Sequence, residues 1–344
     1  MEAPTSTPAP FDPVRRAVPG RDGSGQAQEV GLFELGVHRP EASPRGQKTL
    51  RNPIGCVGTG LHTGAKVSLT LHPAEPDSGV RFVRYDRPGK AVIPARFDRV
   101  CDTTTCTVLG DPGGAMIGAV EHLMAALAIC EIDNVLIEVG GPELPIMDGS
   151  AQPFVFLIEC AGIVEQERPR RWIEVLEPVA IEAHGKSTRL EPADRLIIDC
   201  EIQLEHPLIA SQALQIAFDP EAFKAEIARA RTFGFAERLE DLWSRGMALG
   251  GCLRNTVVVS RERILNEEGL RCPDEFVRHK VLDVLGDLYL ATAPIVGRFT
   301  GRSAGATLHN KLLRALFADP GAWRMVTAAG PAEPGVATPL AAQA

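Results

Sequence analysis

One predicted helix constrains the fold more than any other feature, because it is apolar almost all round. Residues 116–129, MIGAVEHLMAALAI, contain only two ionisable residues, Glu121 and His122. A helix without a polar face must be buried, so other layers of structure have to cover it. An unpaired buried carboxylate is costly, and Glu121 and His122 therefore need a compensating partner. For His122 alone, a hydrogen-bonded core histidine stays an alternative.

A second predicted helix carries a polar stripe that could supply this partner. It includes DEFVRHKVLDVLGD, residues 274–287, in which two acidic residues favour the positive end of the helix. At 100° per residue, His279, Asp283 and Asp287 lie within about 80° of one another, opposite an apolar face. Taken alone, the stripe could equally be a face turned to water.

Together the two helices offer the ligands of a catalytic zinc site. Two neutral imidazoles and a carboxylate, from His122, His279 and Asp283, leave a fourth position open for water. The spacing of four residues lets His279 and Asp283 reach one ion from the same helical face, as in His-Glu-x-x-His hydrolases. Glu121, next to a ligand, would take a proton from the activated water. The sequence therefore predicts a Zn²⁺ site where the two helices meet.

Composition narrows the class of protein. The chain has 344 residues, of which 44% are hydrophobic and 23% charged, enough for two medium-sized cores. It has no apolar run near the roughly 18 residues that span a bilayer and no apolar signal segment, which predicts a cytoplasmic protein. Eight scattered cysteines indicate reduced thiols. A net charge of -8 without Lys/Arg runs argues against a nucleic-acid partner, although a few local cations would suffice for one diphosphate.

Strand and helix patterns alternate in a mixed order that predicts an α+β fold rather than a doubly wound sheet. Residues 1–46 and 331–344 are rich in Pro, Gly, Ala or Ser and are predicted to be disordered. The polar stretch 165–171 is interpreted as a linker between an N-terminal domain, 47–168, and a C-terminal domain, 169–330. Strands are predicted at 66–73, 79–86, 133–139 and 195–204, and helices at 118–130, 151–160, 220–230, 277–290 and 308–317.

Several long motifs in order resemble one enzyme family. They are CVGTGLHTGAKVSLTLHPA, AVEHLMAALAICEIDNVLIEVGGPELPIMDGSAQPFV, RARTFGF, SRGMALGG and NEEGLRCPDEFVRHKVLDVLGDL. Over residues 47–330 the chain resembles the UDP-3-O-acyl-N-acetylglucosamine deacetylases of lipid A biosynthesis. The resemblance implies two similar α+β domains, each a helix pair packed on a β-sheet, with the zinc site between them. It also implies a substrate that is a UDP-linked acylated amino sugar, and we expect a monomer.

The resemblance gives the same three metal ligands and Glu121 as the base, and it adds further roles. Lys280 matches a lysine that stabilises developing negative charge, and Thr232 a threonine beside the oxyanion. Phe233 would contact the sugar, and residues 235–258 would line a passage for the acyl chain. His62 matches a histidine near the rim of the site, although a role in capping a turn is equally compatible with its position.

One position departs from the family. The family pattern Ser-Gly-His-x-Leu-Asn carries a histidine that acts as general acid and is oriented by an aspartate. Here SAGATLHNKLL places Ala306 at that histidine, keeps the matching Asp287, and has His309 three residues further on. Three alternatives follow: a slow deacetylase, one in which Glu121 moves the proton both ways, or a weakly catalytic paralogue that keeps metal and ligand binding for regulation. A metal-free structural or nucleic-acid-associated protein is a further alternative, disfavoured by the acidic charge and the paired helices.

Overall fold

The computed structural model describes residues 14–15, 46–206, 208–327 and 330–331. Of the segments predicted to be disordered, 1–46 and 331–344, all but residues 14–15, 46 and 331 lie outside the described residues. Within the described part of the chain, no helix is long and apolar enough to cross a membrane.

The described chain combines short strands with a few helices. The strands are β1 (Val14–Arg15), β2 (Gly46–Leu50), β3 (Ile54–Thr59), β4 (Lys66–Pro73), β5 (Val80–Arg84), β6 (Ala91–Pro94), β7 (Val100–Asp102), β8 (Val108–Gly110), β9 (Met116–Ile117), β10 (Val135–Val139), β11 (Ile163–Pro169), β12 (Arg171–Val175), β13 (Val179–Ala183), β14 (Lys186–Glu191), β15 (Ile197–His206), β16 (Ile209–Ala217), β17 (Phe233–Phe235), β18 (Val257–Val259), β19 (Ile295–Val296), β20 (Arg298–Arg302), β21 (Trp323–Thr327) and β22 (Gly330–Pro331). The α-helices are α1 (Glu121–Ile129), α2 (Gln152–Ala161), α3 (Pro220–Ala222), α4 (Leu239–Ser244), α5 (Glu275–Tyr289) and α6 (Ala306–Ala318). A π-helical turn, Phe223–Ile227, continues α3, and two 3₁₀ turns lie at Phe97–Arg99 and Ala236–Arg238.

Each half of the chain contains a sheet with two helices. In the first half, five strands lie in the order β3-β4-β10-β5-β6, with α1 packed against α2 and α2 against β3. The second half supplies five strands of a six-stranded sheet with the order β1-β16-β15-β20-β14-β13, to which β1 is added from the N-terminal part of the chain. Helix α5 covers β15 and β16, and α6 covers β13 and β14. The predicted α+β class with a helix pair on a sheet is confirmed, whereas the domain boundaries stay a prediction.

Helices α1 and α5 cross closely at the centre of the molecule. All residues of α1 from His122 to Ile129 are buried, as its apolar sequence predicts. At the crossing, Gly286 of α5 faces the backbone of α1, and a Cβ atom there would lie 2.0 Å from the carbonyl oxygen of Glu121. Only glycine permits this approach, which brings the polar residues of both helices together.

The predicted linker is wrong. Residues 163–169 form strand β11, which pairs antiparallel with β2, and β12 begins at Arg171. Strand β11 has β2 as its only partner in this two-stranded sheet and carries exposed Glu165 and Glu167. Charged residues are common on such edge strands, so the polar composition of β11 resembles that of a linker.

Candidate metal centre and catalytic site

Three side chains converge where α1 crosses α5. Asp283 Oδ1 lies 3.4 Å from His279 Nε2 and 3.7 Å from His122 Nε2. One potential ligand atom of each residue lies within 4.8 Å of the others. Ligands bound at about 2.1 Å to one tetrahedral ion are roughly 3.4 Å apart, so the triangle fits a single zinc ion. The structure thus brings the three predicted ligands together.

The polar stripe of α5 is not turned to water. His279 is 2% exposed and Asp287 is 4% exposed. The alternative of a solvated helix face is therefore wrong for these residues, because the neighbouring elements cover them.

A backbone hydrogen bond orients His279. Its Nδ1 atom lies 3.1 Å from the carbonyl oxygen of Ala230. Since a carbonyl only accepts, Nδ1 carries the proton and Nε2 offers its lone pair towards Asp283 and His122. This is the tautomer that a metal ligand requires.

Electrostatics keep both histidines neutral. Burial, followed by the neighbouring His279, lowers the pKa of His122 to about 3. Burial likewise lowers the pKa of His279. Burial raises the pKa of Asp283, but the effects of His279 and Lys280 outweigh that of burial. The pKa of Asp283 therefore lies well below its usual range. Two neutral imidazoles and one carboxylate are the protonation states that bind a cation.

Glu121 begins α1 directly before the candidate ligand His122. Its Oε2 atom accepts a hydrogen bond from the backbone N–H of Thr107 at 3.1 Å. Burial, followed by the charges of Asp287 and Asp283, raises the pKa of Glu121 to about 8. The carboxyl group therefore has the proton affinity expected of a general base near neutral pH.

A cavity of about 260 Å³ opens onto these residues. Glu121, Lys280, Asp283 and Asp287 line one part of it. Lys280 Nζ also donates to Asp283 Oδ2 at 2.9 Å. Burial lowers the pKa of Lys280, but Asp283, Glu121 and Asp287 together raise it by more, so the ammonium group stays charged beside the cavity.

Sequence reasoning missed the remaining lining of the cavity, apart from Ala306. It consists of residues 103–107, a run that includes four threonines, together with Lys186 and the start of α6. Thr107 matters most, because its backbone binds Glu121 while its hydroxyl donates to Asp287 Oδ1 at 2.6 Å. The only signal in the sequence is the cluster of threonines, which has no specific chemistry.

Asp287 has a histidine partner in the structure, although Ala306 replaces the histidine that the family pattern would pair with it. His309 Nδ1 lies 2.7 Å from Asp287 Oδ2, and His309 is 1% exposed. Ala306 and Asp287 line the cavity, whereas His309 does not. His309 instead borders a separate space of about 10 Å³, and its buried Nε2 has no hydrogen-bond partner among the described residues. The imidazole therefore contacts Asp287 without lining the cavity.

Phe233 lies beside two residues of α5, whereas Thr232 is held by backbone hydrogen bonds to other segments. The ring of Phe233 is 5.4 Å from Lys280 Nζ and 6.2 Å from the ring of His279, measured to ring centroids. Thr232 is anchored through its backbone, which binds Gly149 and Val257. Thr232 is absent from the lining of the cavity described above.

His62 and the insert 235–258 meet through their backbones. The N–H of His62 donates to Glu143, and its carbonyl accepts from Leu249 of the insert. Within the insert, Trp243, Leu249 and Leu253 are between 43% and 54% exposed. The insert therefore presents some apolar side chains at the surface, whereas Val257 and Val258 at its end are buried.

Fold and site together define an α+β protein with a candidate metal centre at the crossing of two helices. The sequence profile described as UDP-3-O-acyl N-acetylglycosamine deacetylase matches residues 47–318. The chain is 48% identical to the UDP-3-O-acyl-N-acetylglucosamine deacetylase of Methylococcus capsulatus over 82% of this chain and 93% of the relative. The enzymes of the same name from Phenylobacterium zucineum and Stenotrophomonas maltophilia are each 47% identical, covering 82% and 84% of this chain and 96% and 95% of the relatives. The chain belongs to the UDP-3-O-acyl-N-acetylglucosamine deacetylase family.

Proposed function

We propose that this protein is a zinc-dependent hydrolase that removes acetate from UDP-3-O-acyl-N-acetylglucosamine, a step of lipid A biosynthesis. The observation that carries the proposal is the triangle of His122, His279 and Asp283, of which Asp283 lines the same cavity as Glu121. The names of the relatives support the substrate class, and the sequence motifs support the pathway.

The three residues of the triangle would hold the metal ion. A bound zinc ion supplies Lewis acidity, which activates water and polarises the acetamide carbonyl. Glu121 would take the proton from the attacking water, and the N–H of Thr107 fixes one of its oxygens for this purpose. Lys280, charged and at the cavity wall, would stabilise the negative charge that develops on the acetamide oxygen.

The leaving amine also needs a proton, and Glu121 is its simplest donor. Ala306 has no ionisable group, and His309 is separated from the cavity by Asp287. The proton that Glu121 has taken from water can be passed to the amine in the second half of the reaction. A single carboxyl group would then act as base and acid in turn.

Further residues would bind the substrate. Phe233, beside Lys280, is placed to contact the sugar, and the exposed apolar residues of the insert 235–258 are suited to an acyl chain. Roles for Thr232 beside the oxyanion and for His62 at the rim stay predictions, as do a monomeric state and a cytoplasmic location.

The test combines metal content with turnover on the same preparations. Purified protein should contain about one zinc ion per chain and release acetate from UDP-3-O-acyl-N-acetylglucosamine. His279→Ala and Asp283→Ala should lose most of the zinc and the activity. His72→Ala is the control, because His72 pairs with Glu138 on the sheet surface and should change neither.

Two results would contradict the proposal. If His279→Ala and Asp283→Ala both retain all of their zinc, the proposed metal site is wrong. If zinc-loaded protein binds the substrate without releasing acetate, the result favours the binding paralogue. The names of the relatives, all deacetylases, favour an enzyme over this paralogue.

A further inference from the structure

A buried ion pair lies one helical turn before the candidate ligand His279. Glu275 of α5 is 0% exposed and Arg231 is 2% exposed. The guanidinium group donates from Nε to Glu275 Oε1 at 2.8 Å and from Nη2 to Oε2 at 3.1 Å. It also binds Glu268 and the carbonyl of Gly269. Arg231 therefore pairs with both oxygens of the carboxylate and fixes it in one orientation.

The same carboxylate binds the peptide group that orients His279. The peptide between Ala230 and Arg231 has an N–H, which donates to Glu275 Oε1 at 3.0 Å, and a carbonyl, which lies 3.1 Å from His279 Nδ1. Both ends of one peptide plane are thus attached to α5, at residues separated by a single turn. Hydrogen bonds in a chain polarise one another, so the carboxylate strengthens the carbonyl as an acceptor.

Metal-bound histidines commonly donate their second N–H to a carboxylate or a carbonyl, which fixes the ring and raises its basicity. We propose that Glu275 is the carboxylate partner of His279 and acts on it through the intervening peptide group, with Arg231 holding Glu275 in place. Both are positioning residues, since neither touches the cavity. The inference rests on the proposed metal site.

Glu275→Gln removes the negative charge of the side chain. It keeps the shape of the side chain and one oxygen that can accept a hydrogen bond from the Arg231 N–H. Zinc affinity, measured by competition with a chromophoric chelator, should fall by about 10-fold or more, the effect usual for such outer partners. In the metal-free protein, the proton resonance of His279 Nδ1–H should move upfield, as expected for a weaker hydrogen bond. Unchanged affinity together with an unchanged resonance would overturn the inference.

The matched control is Asp133→Asn. Asp133 is also a carboxylate paired with a buried arginine, since Arg170 Nε donates to it at 2.9 Å, but it binds no candidate ligand. This variant should keep the zinc affinity of the parent even if it is less stable. An equal loss of affinity in both variants would show a general effect of destabilisation and overturn the inference.

A second variant covers the case in which Glu275→Gln does not fold. Replacing both partners, Arg231→Met with Glu275→Leu, removes the charges together, which buried ion pairs often tolerate. Zinc affinity should again fall at least 10-fold, and an affinity equal to that of the parent would refute the role of Glu275. If the parent itself binds no zinc, the proposed metal site fails, while the Nδ1–H resonance still decides whether Glu275 acts on His279.

Discussion

Gly286→Ala should damage the metal centre without altering any ligand. A Cβ atom at Gly286 would lie 2.0 Å from the carbonyl oxygen of Glu121, whereas ordinary contacts begin at 3.4 Å. Helices α1 and α5 would have to separate by about 1.4 Å at this point. Because His122 follows Glu121 on α1 and the other two ligands lie on α5, the separation changes the ligand triangle directly.

The expected magnitudes differ for stability and for metal binding. Alanine favours a helix over glycine by about 1 kcal/mol, and overpacking a core costs about 1–3 kcal/mol, so the free energy of unfolding should fall by at most about 2 kcal/mol. Metal–ligand distances tolerate only about 0.2 Å. Even a third of the required displacement exceeds this tolerance, and zinc affinity should therefore fall far more than stability.

The assay compares zinc affinity and thermal unfolding of the metal-free protein. Gly114→Ala is the control, since its new Cβ would meet neighbouring atoms at 3.4 Å or more, away from both helices. If Gly286→Ala binds zinc as tightly as the parent and unfolds at the same or a higher temperature, the close-approach argument is refuted.

Three further predictions concern the proton chemistry. Glu121→Gln should retain zinc and lose turnover, because the carboxylate acts on water and not on the ion; an unchanged rate would remove Glu121 from the mechanism. In the metal-free protein, burial and the nearby carboxylates raise the pKa of Glu121 from 4.5 to about 8, so the free energy of unfolding should decrease as pH rises through this range. Urea unfolding of Glu121→Gln should lack that decrease, and an equal slope in both proteins would contradict the shift. Ala306→His combined with His309→Asn should raise turnover by about tenfold or more, whereas Ala306→His alone should add little; equal rates for the two variants would contradict this.

The helices and their chemistry were predictable because periodicity and spacing are local properties. Helix α5 was expected at 277–290 and spans Glu275–Tyr289, and α1 was expected within 118–130. A carboxylate and an imidazole inside an apolar helix need a partner wherever the helix lies, which led from Glu121 and His122 to the stripe of α5. The ligand triangle follows from burial energetics together with helical geometry.

The features that were not predictable depend on contacts between distant segments. Thr107 contacts both Glu121 and Asp287, which lies 180 residues after it in the sequence, and nothing in the threonine run marks which hydroxyl does so. Strand β11 was mistaken for a linker because an edge strand with one partner does not need an apolar face. The carbonyl of Ala230 that orients His279 cannot be predicted from the sequence either, since any residue type could supply it.

The position of His309 explains why Ala306→His has to be combined with His309→Asn. In the family pattern the imidazole stands at the residue matching Ala306 and an asparagine at the residue matching His309, so this chain carries its imidazole one helical turn further on. Both oxygens of Asp287 are already engaged, one by Thr107 and the other by His309. An imidazole added at position 306 would enter the cavity but would have to share an aspartate whose two oxygens are each already in contact with another side chain. Removing His309 at the same time frees Asp287 Oδ2 to orient the new imidazole towards the substrate, which is why the gain in turnover requires the pair.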